Sequence, residues 1–574
     1  MVRNVNNPAE SFIYRGHLAH TTVAKFSPNG YWVTSADVSG KMRVWSWDNP
    51  EHLTKLETTL FAGKVADLDW DSESKKIVAG GDGTGMLVRC VTWDTGNNAG
   101  EMVGHNKRVL SVAYKPNRPF RIFSAGEDMK TMFYAGPPFK LDHSNNTHTN
   151  FVNCVRYSAD GNRAVSVGSD KKIQMYDGKT GEMTGEVPNA HAGGIYSVAF
   201  SPDGTQFITA SADKTVKMWN SDSLTLEQTF VIAADPQLGD AQVAVLWSAQ
   251  FMLSFSLNGN INVLNKTSPD APERIIQANQ VAITAMTVDR DTKTLFTASY
   301  DGVVCLRNLD SNEANRLRGT DKAHMSGAAH KGSVSGVAVV QGGLVSVGWD
   351  DRMRFSSVEP GTAGYHADLE LNGQPCCLAS CRGTTDLLLV VTTAEVALYR
   401  GASKVASMDV AALGFEPTCG ALLDEQEVAI GGKDYKTHVY SLNNLSFSPI
   451  KVIETRSAVS ALAYSPSGEF LAIGDDGRQV ELFDRSNWEA RVKGKWVFHT
   501  SKITCLAWSP DSAYLASGSL DENIYVWSPA NVNVREQMSF AHTGGVSALD
   551  WLAAGKLISG GNDGAVVAWN VPAF

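Results

Sequence analysis

Residues 191–220 read HAGGIYSVAFSPDGTQFITASADKTVKMWN, and residues 499–528 read HTSKITCLAWSPDSAYLASGSLDENIYVWS. Both segments begin with His, pass through an alternating apolar stretch to a Ser-Pro-Asp turn, and continue with two more strands that an Asp-containing turn separates. Alternation such as that of residues 195–200 has the period of two that is typical of β-strands. Pro, Asp, Asn and Gly favour the turn conformations between the strands. The repeated unit is therefore a small antiparallel β-sheet.

The unit recurs along the whole chain. A Trp or its equivalent ends the third strand of each copy, and consecutive anchors are 41 to 49 residues apart. A repeat of about 40–45 residues with His near its start and Trp near its end is typical of WD40 propeller blades. Helical repeats of similar length would show a period of 3.6 residues instead. The anchors are Trp45, Trp93, Tyr134, Tyr176, Trp219, Leu264, Arg307, Ser356, Tyr399, Tyr440, Phe483, Trp527 and Trp569.

The number of anchors predicts the architecture. Thirteen anchors and a fragment that ends at Arg3 make fourteen units, which divide into two sets of seven. We expect an all-β protein of two tandem seven-bladed WD40 β-propellers, at residues 1–272 and 273–574, with four-stranded antiparallel blades and almost no helix. The first propeller is expected to be incomplete, with only a remnant of its N-terminal blade.

The two ends of the chain give a related expectation. SFIYRG (11–16) has the position of an outer strand whose inner strands would end at Val2-Arg3-Asn4, and AVVAWNVPAF (565–574) ends the last blade with its third strand. We expect a sequence that is truncated, or has an alternative start, relative to its family. About 30–40 upstream residues would complete the first blade. Adding them should raise the melting temperature, because exposed strand edges promote aggregation.

Three copies of the unit carry a matching set of four polar or aromatic side chains. His precedes Asp by 21 or 22 residues, and Asp precedes Trp by six. Catalytic triads use similar residue types, but a nucleophile would not be repeated in many blades. We interpret the sets as structural tetrads in which Asp accepts a hydrogen bond from His, which donates onward to the hydroxyl. The tetrads are His191, Thr209, Asp213 and Trp219; His499, Ser517, Asp521 and Trp527; and His542, Ser559, Asp563 and Trp569.

Composition argues against several classes of function. The formal net charge of −10 gives the chain no overall attraction for nucleic acid or anionic membranes. Eight cysteines without regular spacing indicate reduced thiols in a reducing compartment. No apolar stretch approaches the length of a membrane span, and the polar N-terminus lacks a signal-peptide core. We expect a soluble cytoplasmic protein with no nucleic-acid or membrane partner.

Two motifs resemble a zinc site and a phosphate-binding loop only superficially. Cys376, Cys377 and Cys381 lack the second pair of ligands that a tetrahedral zinc site needs. GGDGTG (80–85) lacks the Lys-Ser/Thr and the helix of a phosphate-binding loop. We therefore expect no enzyme activity, no cofactor and no metal.

Longer segments resemble the actin-interacting protein 1 family of WD-repeat proteins, and the resemblance covers essentially the whole chain. Near the C-terminus, the resemblance includes residues 499–527. The other segments are SADVSGKMRVW (35–45), DWDSESKKIVAGG (69–81), GHNKRVLSV (104–112), RPFRIFSAGED (118–128), GPPFK (136–140), FVNCVRYSADGN (151–162) and MYDGKTGE (175–182).

The resemblance implies a non-enzymatic actin regulator. Such proteins recognise actin filaments decorated with cofilin or actin-depolymerising factor (ADF), promote severing and disassembly, and restrain regrowth at barbed ends. Actin filaments and cofilin/ADF are the implied partners of a monomeric protein at the cytoplasmic actin cytoskeleton, cortical or sarcomeric. The alternative is a generic WD40 scaffold in an assembly unrelated to actin, because a fold does not fix a function.

The resemblance also implies a contact surface around the third to fifth blades of the first propeller, with Glu127, Phe139, Lys140 and Phe151 as candidates. Glu127 lies in the predicted turn of SAGEDMK, and two prolines before Phe139 would present its ring rigidly. The alternatives are that both Phe rings are buried under outer strands and that Glu127 is a solvated turn charge. Glu127 and the loop with Phe139 are expected on opposite faces of the disc.

Overall fold

The computed structural model describes residues 2–3, 11–12, 14, 16–48, 53–277, 279–310, 314–317, 330–340, 343–358, 364–380 and 386–572. Within them, helical structure is limited to helix α1 (Val410–Leu413) and a 3-10 turn at Leu238–Asp240. The expectation of an all-β chain with almost no helix is confirmed. The chain divides into two compact units, Met1–Ile275 and Ile276–Phe574.

The first unit contains strands β1 to β26. They are β1 (Val2–Arg3), β2 (Ser11–Phe12), β3 (Thr21–Phe26), β4 (Trp32–Asp37), β5 (Lys41–Ser46), β6 (Thr54–Thr59), β7 (Val65–Trp70), β8 (Lys76–Gly81), β9 (Val88–Thr92), β10 (Gly100–Glu101), β11 (Val109–Tyr114), β12 (Arg121–Gly126), β13 (Thr131–Ala135), β14 (Phe139–Asn145), β15 (Val152–Tyr157), β16 (Arg163–Gly168), β17 (Ile173–Asp177), β18 (Met183–Val187), β19 (Ile195–Phe200), β20 (Gln206–Ser211), β21 (Thr215–Asn220), β22 (Leu226–Val231), β23 (Gln242–Trp247), β24 (Met252–Ser256), β25 (Ile261–Val263) and β26 (Arg274–Ile276).

The second unit contains strands β27 to β53. They are β27 (Ile283–Asp289), β28 (Thr294–Ser299), β29 (Val304–Asn308), β30 (Ala314–Leu317), β31 (Val334–Val340), β32 (Gly343–Gly348), β33 (Arg352–Ser357), β34 (Gly364–Glu370), β35 (Pro375–Ser380), β36 (Leu387–Thr392), β37 (Glu395–Arg400), β38 (Ser403–Asp409), β39 (Pro417–Leu423), β40 (Glu427–Gly432), β41 (Lys436–Asn443), β42 (Ser446–Glu454), β43 (Val459–Tyr464), β44 (Phe470–Asp475), β45 (Val480–Asp484), β46 (Ala490–Trp496), β47 (Ile503–Trp508), β48 (Leu515–Ser519), β49 (Ile524–Trp527), β50 (Arg535–Met538), β51 (Val546–Ala553), β52 (Lys556–Gly561) and β53 (Val566–Asn570).

Most sheets consist of four strands hydrogen-bonded in chain order, as WD40 blades require. In the first unit, sheets begin at β3, β7, β11, β15, β19 and β23, and among the described residues β1 pairs with β2 alone. In the second unit, seven sheets begin at β27, β31, β35, β39, β43, β47 and β51. Their first strands pack in succession, and β51 packs against β27, which closes the ring. At this closure the amide of Val288 donates to Asp550 Oδ2 at 2.8 Å.

Three sheets depart from the expected four antiparallel strands. The sheet of β7 to β9 and the sheet of β51 to β53 each have three described strands. In the first unit, β10 follows the sheet of β7 to β9 in the chain but pairs in parallel with β14 of the next sheet, with Gly100 opposite Phe139. A Cβ atom at Gly100 would lie 2.4 Å from the carbonyl oxygen of Phe139, so this close approach requires glycine.

Hydroxyl groups also join neighbouring sheets. Four Thr side chains near the start of a first strand donate to a backbone carbonyl at the start of the next sheet. The distances of 2.5 to 2.6 Å are those of strong O–H···O bonds. The pairs are Thr22 with Val65, Thr284 with Val334, Thr418 with Val459, and Thr504 with Val546.

The three predicted tetrads are assembled in the structure. His191 Nδ1 lies 2.8 Å from Asp213 Oδ2, and its Nε2 lies 2.8 Å from Thr209 Oγ1. Trp219 Nε1 donates to the same hydroxyl at 2.9 Å. The corresponding distances in the other two tetrads are 2.8 to 3.0 Å. Each tetrad links the loop before a sheet to the second strand, the third strand and the turn between them.

The direction of one hydrogen bond differs from expectation. A carboxylate can only accept, so Nδ1 of His191 carries the proton that Asp213 receives. Burial lowers the pKa of His191 and favours the neutral ring, whose Nε2 can then only accept. Thr209 therefore donates to His191 and accepts from Trp219, whereas the sequence interpretation had His donating to the hydroxyl.

Four more sheets contain the same His–Asp–Ser connection, which sequence analysis missed. Their His-to-Asp separations of 20 to 23 residues bracket those of the predicted tetrads. Two of these sheets have Tyr and one has Ser at the anchor position, and in the fourth Trp45 follows Asp37 by eight residues, so a search for Trp six residues after Asp overlooks all four. The sets are His17, Ser35 and Asp37; His105, Ser124 and Asp128; His148, Ser166 and Asp170; and His330, Ser346 and Asp350.

Replacing Asp213 by Ala removes the acceptor of His191, of the Ala192 amide and of the Thr215 hydroxyl. We expect Asp213→Ala to lower the free energy of unfolding by about 1–3 kcal/mol, the cost of leaving buried donors unpaired. Denaturant titration measures it. Asp222→Ala is the matched control, because Asp222 is an exposed partner of Arg163 in a surface ion pair. Equal destabilisation by the two substitutions would contradict the structural role.

Stability should fall in two stages on acidification. Burial lowers the pKa of His191 and His330, so protonation of the unfolded chain below about pH 6.5 favours unfolding. Burial also opposes ionisation of Asp350 and Asp521, but their His and amide donors outweigh it and lower each pKa to about 2. These carboxylates stabilise the fold above their ordinary pKa of 3.8, and this contribution is lost as the pH falls toward 2.

The expected result is a melting temperature that declines below about pH 6.5 and more steeply below about pH 4. Calorimetry between pH 7.5 and 3 measures it. His191→Gln should reduce the slope between pH 6.5 and 5, because one titrating ring is gone. A melting temperature that increases as the pH falls from 6.5 to 5 would exclude buried neutral histidines.

Candidate protein-binding site

Glu127 lies in the turn between β12 and β13 and is paired with Arg108, which precedes β11. Arg108 Nε donates to Glu127 Oε1 at 3.1 Å, and Nη2 donates to the same oxygen. The amide of Glu127 donates to the carbonyl of Arg108 at 2.9 Å. Glu127 is therefore fixed by an ion pair and is not a freely solvated turn charge.

Large apolar side chains are exposed at the same edge of this and the next two sheets. Met129 is 38% exposed and follows Glu127 in the turn, where its φ of 64° is left-handed. Phe151, in the loop before β15, is 41% exposed, and Tyr196 on β19 is 42% exposed. Phe151 is thus available for contact, as one of the two sequence interpretations requires.

The loops that carry Phe151 and Tyr196 are tied together by Asn153. Its Nδ2 donates to Ser169 Oγ at 2.9 Å and to the carbonyl of Ile195 at 2.7 Å. The amide of Ser169 donates in turn to the carbonyl of Phe151 at 2.8 Å. The two aromatic side chains are therefore presented on a braced edge, which lowers the entropy that a partner must remove on binding.

We call this surface the turn-edge patch; it consists of Arg108, Glu127, Met129, Phe151 and Tyr196. Aromatic residues, Met and Arg are the types that are enriched in protein–protein interfaces. Rigid aromatic and Arg anchors also supply most of the binding energy in such interfaces. The patch is suited to contact with another protein surface.

Phe139 and Lys140 are not part of the patch. Phe139 is fully buried, and its ring meets Tyr114 edge-on at a centroid distance of 5.6 Å. The parallel strand β10 lies beside it, so the proposed contact role of Phe139 is incompatible with the fold. Lys140 is exposed on β14, next to the β13–β14 turn and so at the edge of the sheet away from Glu127. The expected separation of Glu127 from Phe139 agrees with this arrangement.

Sequence analysis did not identify Arg108, Met129 or Tyr196. A usable signal existed for Tyr196, because it follows the buried Ile195 in an alternating strand and so points outward. Arg108 and Met129 had no such signal. Arg108 is placed by the loop that faces the turn of Glu127, and Met129 lies within that turn.

A second polar cluster links the first strands of the same region. Arg156 Nη1 donates to Asp67 Oδ2 at 3.0 Å and to Ser111 Oγ at 2.8 Å. Ser111 Oγ donates to Asp67 Oδ2 at 2.9 Å. These residues belong to β15, β7 and β11, so one carboxylate joins three consecutive sheets. Each polar group has a partner within the cluster, which indicates a structural role.

Chemistry at the tetrads is blocked by burial. The hydroxyls of Thr209, Ser517 and Ser559 are fully buried and already bonded to His and Trp. A substrate could not reach them without unfolding the sheet. The His, Asp and hydroxyl residues that form catalytic triads in other proteins therefore have a structural role here.

Among the described residues, the other reactive side chains form no metal site and include two thiols that burial keeps protonated. No group of His, Cys, Asp and Glu in those segments has the geometry of a metal site. Burial raises the pKa of Cys377 to about 11 and that of Cys505 to about 12, which keeps both thiols protonated. Cys381 lies outside the described residues. In the same segments, no helix has the length and hydrophobicity of a membrane span.

Comparison with known proteins supports the repeat assignment. The family model described as WD domain, G-beta repeat matches six segments of the chain. Five of them contain a complete tetrad or one of the related His–Asp–Ser sets. The segments are residues 9–46, 139–177, 184–220, 447–484, 491–528 and 535–570.

Full-length relatives are similar to the entire chain. A 66 kDa stress protein of Physarum polycephalum is 37% identical over 100% of this chain and 93% of its own length. Actin-interacting protein 1-2 of Arabidopsis thaliana is 37% identical over 99% of this chain and 93% of its own. Actin-interacting protein 1 of Caenorhabditis elegans is 35% identical over 99% and 92%. With this similarity across both units, the chain belongs to the actin-interacting protein 1 family of WD-repeat proteins.

Proposed function

We propose that this protein binds actin filaments decorated with cofilin or ADF, promotes their severing and disassembly, and restrains regrowth at barbed ends. The observation that carries the proposal is the turn-edge patch, a braced and exposed aromatic surface in the part of the chain where the family resemblance is most detailed. The names of the relatives add actin as the partner. The protein is proposed to act as a monomer at the cytoplasmic actin cytoskeleton, cortical or sarcomeric.

Phe151 and Tyr196 are the proposed anchors. Each ring is more than half buried before binding, so its remaining exposed face can be covered without ordering a flexible side chain. The Arg108–Glu127 pair next to them supplies polar groups for the rim of the contact. Two or three anchors of this size give a weak contact by themselves.

Weak contacts are sufficient for this function. A chain that touches the filament and the bound cofilin together gains affinity through effective concentration. If the protein binds a cofilin-altered or severed filament more tightly than an intact one, mass action shifts the population toward the severed state. No catalytic residue is needed, and we propose a non-enzymatic mechanism.

Co-sedimentation tests the proposal. The protein should pellet weakly with bare actin filaments, pellet more with cofilin-decorated filaments, and increase the fraction of actin that stays in the supernatant. Equal pelleting with and without cofilin would indicate a different actin-binding role. No pelleting in either case would favour a scaffold unrelated to actin.

Variants test the location of the contact. Replacing both Phe151 and Tyr196 by Ser should weaken cofilin-dependent pelleting by about tenfold or more, because each anchor contributes about 1 kcal/mol or more. Lys140→Ala is the control, since Lys140 is exposed at the other edge of the sheet. Melting temperatures check that both variants are folded. Loss of pelleting with Lys140→Ala but not with the double variant would overturn the assignment.

A further inference from the structure

The second unit contains a pocket of about 260 Å³ between the end of β46 and the segment that leads into β50. This volume is slightly smaller than the roughly 300–1,000 Å³ of most small-molecule sites. The pocket is therefore suited to one or two amino-acid side chains. Its lining residues are Lys495, Phe498, Trp527, Val532, Asn533 and Arg535.

Two cations border the pocket without an anionic partner. Both Lys495 and Arg535 are exposed, and neither has a carboxylate oxygen within 4.0 Å in the part of the chain that the structure describes. Lys502, which precedes β47, differs in being paired with Asp476 at 2.8 Å. An unpaired Lys and Arg that face one cavity favour a ligand with negative charge.

Arg535 is held in place by an aromatic ring. Its guanidinium carbon lies 3.5 Å from the ring centroid of Phe498, which is the distance of a stacked cation–π contact. Stacking restrains the side chain but leaves the N–H groups in the guanidinium plane free to donate. A planar carboxylate can accept two such bonds.

The apolar walls of the pocket are fixed as well. Trp527 is buried and stacks on Trp496 at a centroid distance of 4.9 Å. Trp496 Nε1 donates to the carbonyl of Val532 at 2.9 Å and holds that loop against the sheet. The ring of Phe498 remains 41% exposed at the mouth. The pocket thus has a preformed apolar surface beside its two charges.

We propose that this pocket binds an acidic peptide segment of a protein partner. An Asp or Glu carboxylate would lie between Arg535 and Lys495, and a neighbouring apolar side chain would rest against Phe498 and Val532. A nucleic acid is disfavoured, because two cations neutralise little of a polyanion and the chain has a net charge of −10. The site lies in a different unit from the turn-edge patch, and its test does not involve actin.

The probe is a fluorescein-labelled peptide, acetyl-Gly-Leu-Glu-Glu-Leu-Gly-amide, whose anisotropy is measured with the full-length protein at low salt. We expect saturable binding that Arg535→Gln and Lys495→Ala each weaken by about tenfold or more, because each substitution removes a charged hydrogen-bond donor to the carboxylate. A peptide with Gln in place of both Glu residues should bind at least about tenfold more weakly. Arg535→Lys, which keeps the charge but not the planar donor pair, should give an intermediate affinity.

Lys493→Ala is the matched control, because Lys493 is exposed on the same strand but does not line the pocket. It should leave the affinity within about twofold of wild type. An equal loss with Lys493→Ala and Lys495→Ala, or equal binding of the Gln peptide, would overturn the proposal. Displacement of the peptide by equimolar inorganic phosphate would assign a small-anion site and also overturn it. If Arg535→Gln does not fold, the exposed Lys495→Ala substitution decides the outcome.

Discussion

The buried hydrogen bond between a His ring and an Asp carboxylate fixes the inner part of seven sheets in this protein. In the fourth of these sheets along the chain, His191 lies before the first strand and Asp213 lies in the turn between the second and third. Trp219 on the third strand is joined through the Thr209 hydroxyl. Because the His191 ring is buried, loss of Asp213 leaves it without an acceptor, which costs about 1–3 kcal/mol. The network therefore stabilises the inner part of each of these sheets.

The same network positions the turn-edge patch. Glu127 immediately precedes the tetrad-type Asp128, which lies 2.9 Å from His105. Phe151 follows His148 by three residues, and Tyr196 follows His191 by five. The loops and turns that the buried His–Asp bonds hold together are thus the ones that display the candidate binding residues. A change that weakens a tetrad should also disturb the patch, although it touches no partner.

Sheets without the His–Asp bond use other contacts at that edge. In the sheet of β39 to β42, the ring of His438 stacks on Phe415 at 3.9 Å and bonds to Asp434. In the next sheet, Asp475 and Glu481 are buried, and burial raises the pKa of both carboxyl groups. The outer strand of that sheet borders the cationic pocket. These contacts lie outside the repeat pattern and distinguish the second unit. One of the sheets that has them also contributes to the cationic pocket.

The sequence by itself determined the all-β fold, the repeat and three tetrads. Alternation, turn residues and the His-to-Asp spacing are local patterns, and each blade repeats them independently. The spacing also contained the four further His–Asp–Ser sets. Three of them have Tyr or Ser in place of Trp on the third strand, and in the fourth Trp45 follows Asp37 by eight residues. Even the outward position of Tyr196 followed from simple alternation next to Ile195.

Only the tertiary structure decided which candidates could meet a partner. Phe139 is buried because β10, from the preceding repeat, pairs in parallel beside it, and no local pattern encodes that exchange. The bond between Asp67 and Arg156 joins residues 89 positions apart. Arg535 meets Phe498 through packing between the start of one sheet and its outer strand. Such contacts depend on how segments distant in sequence pack together, whereas the patterns read from the sequence depend only on neighbours along the chain.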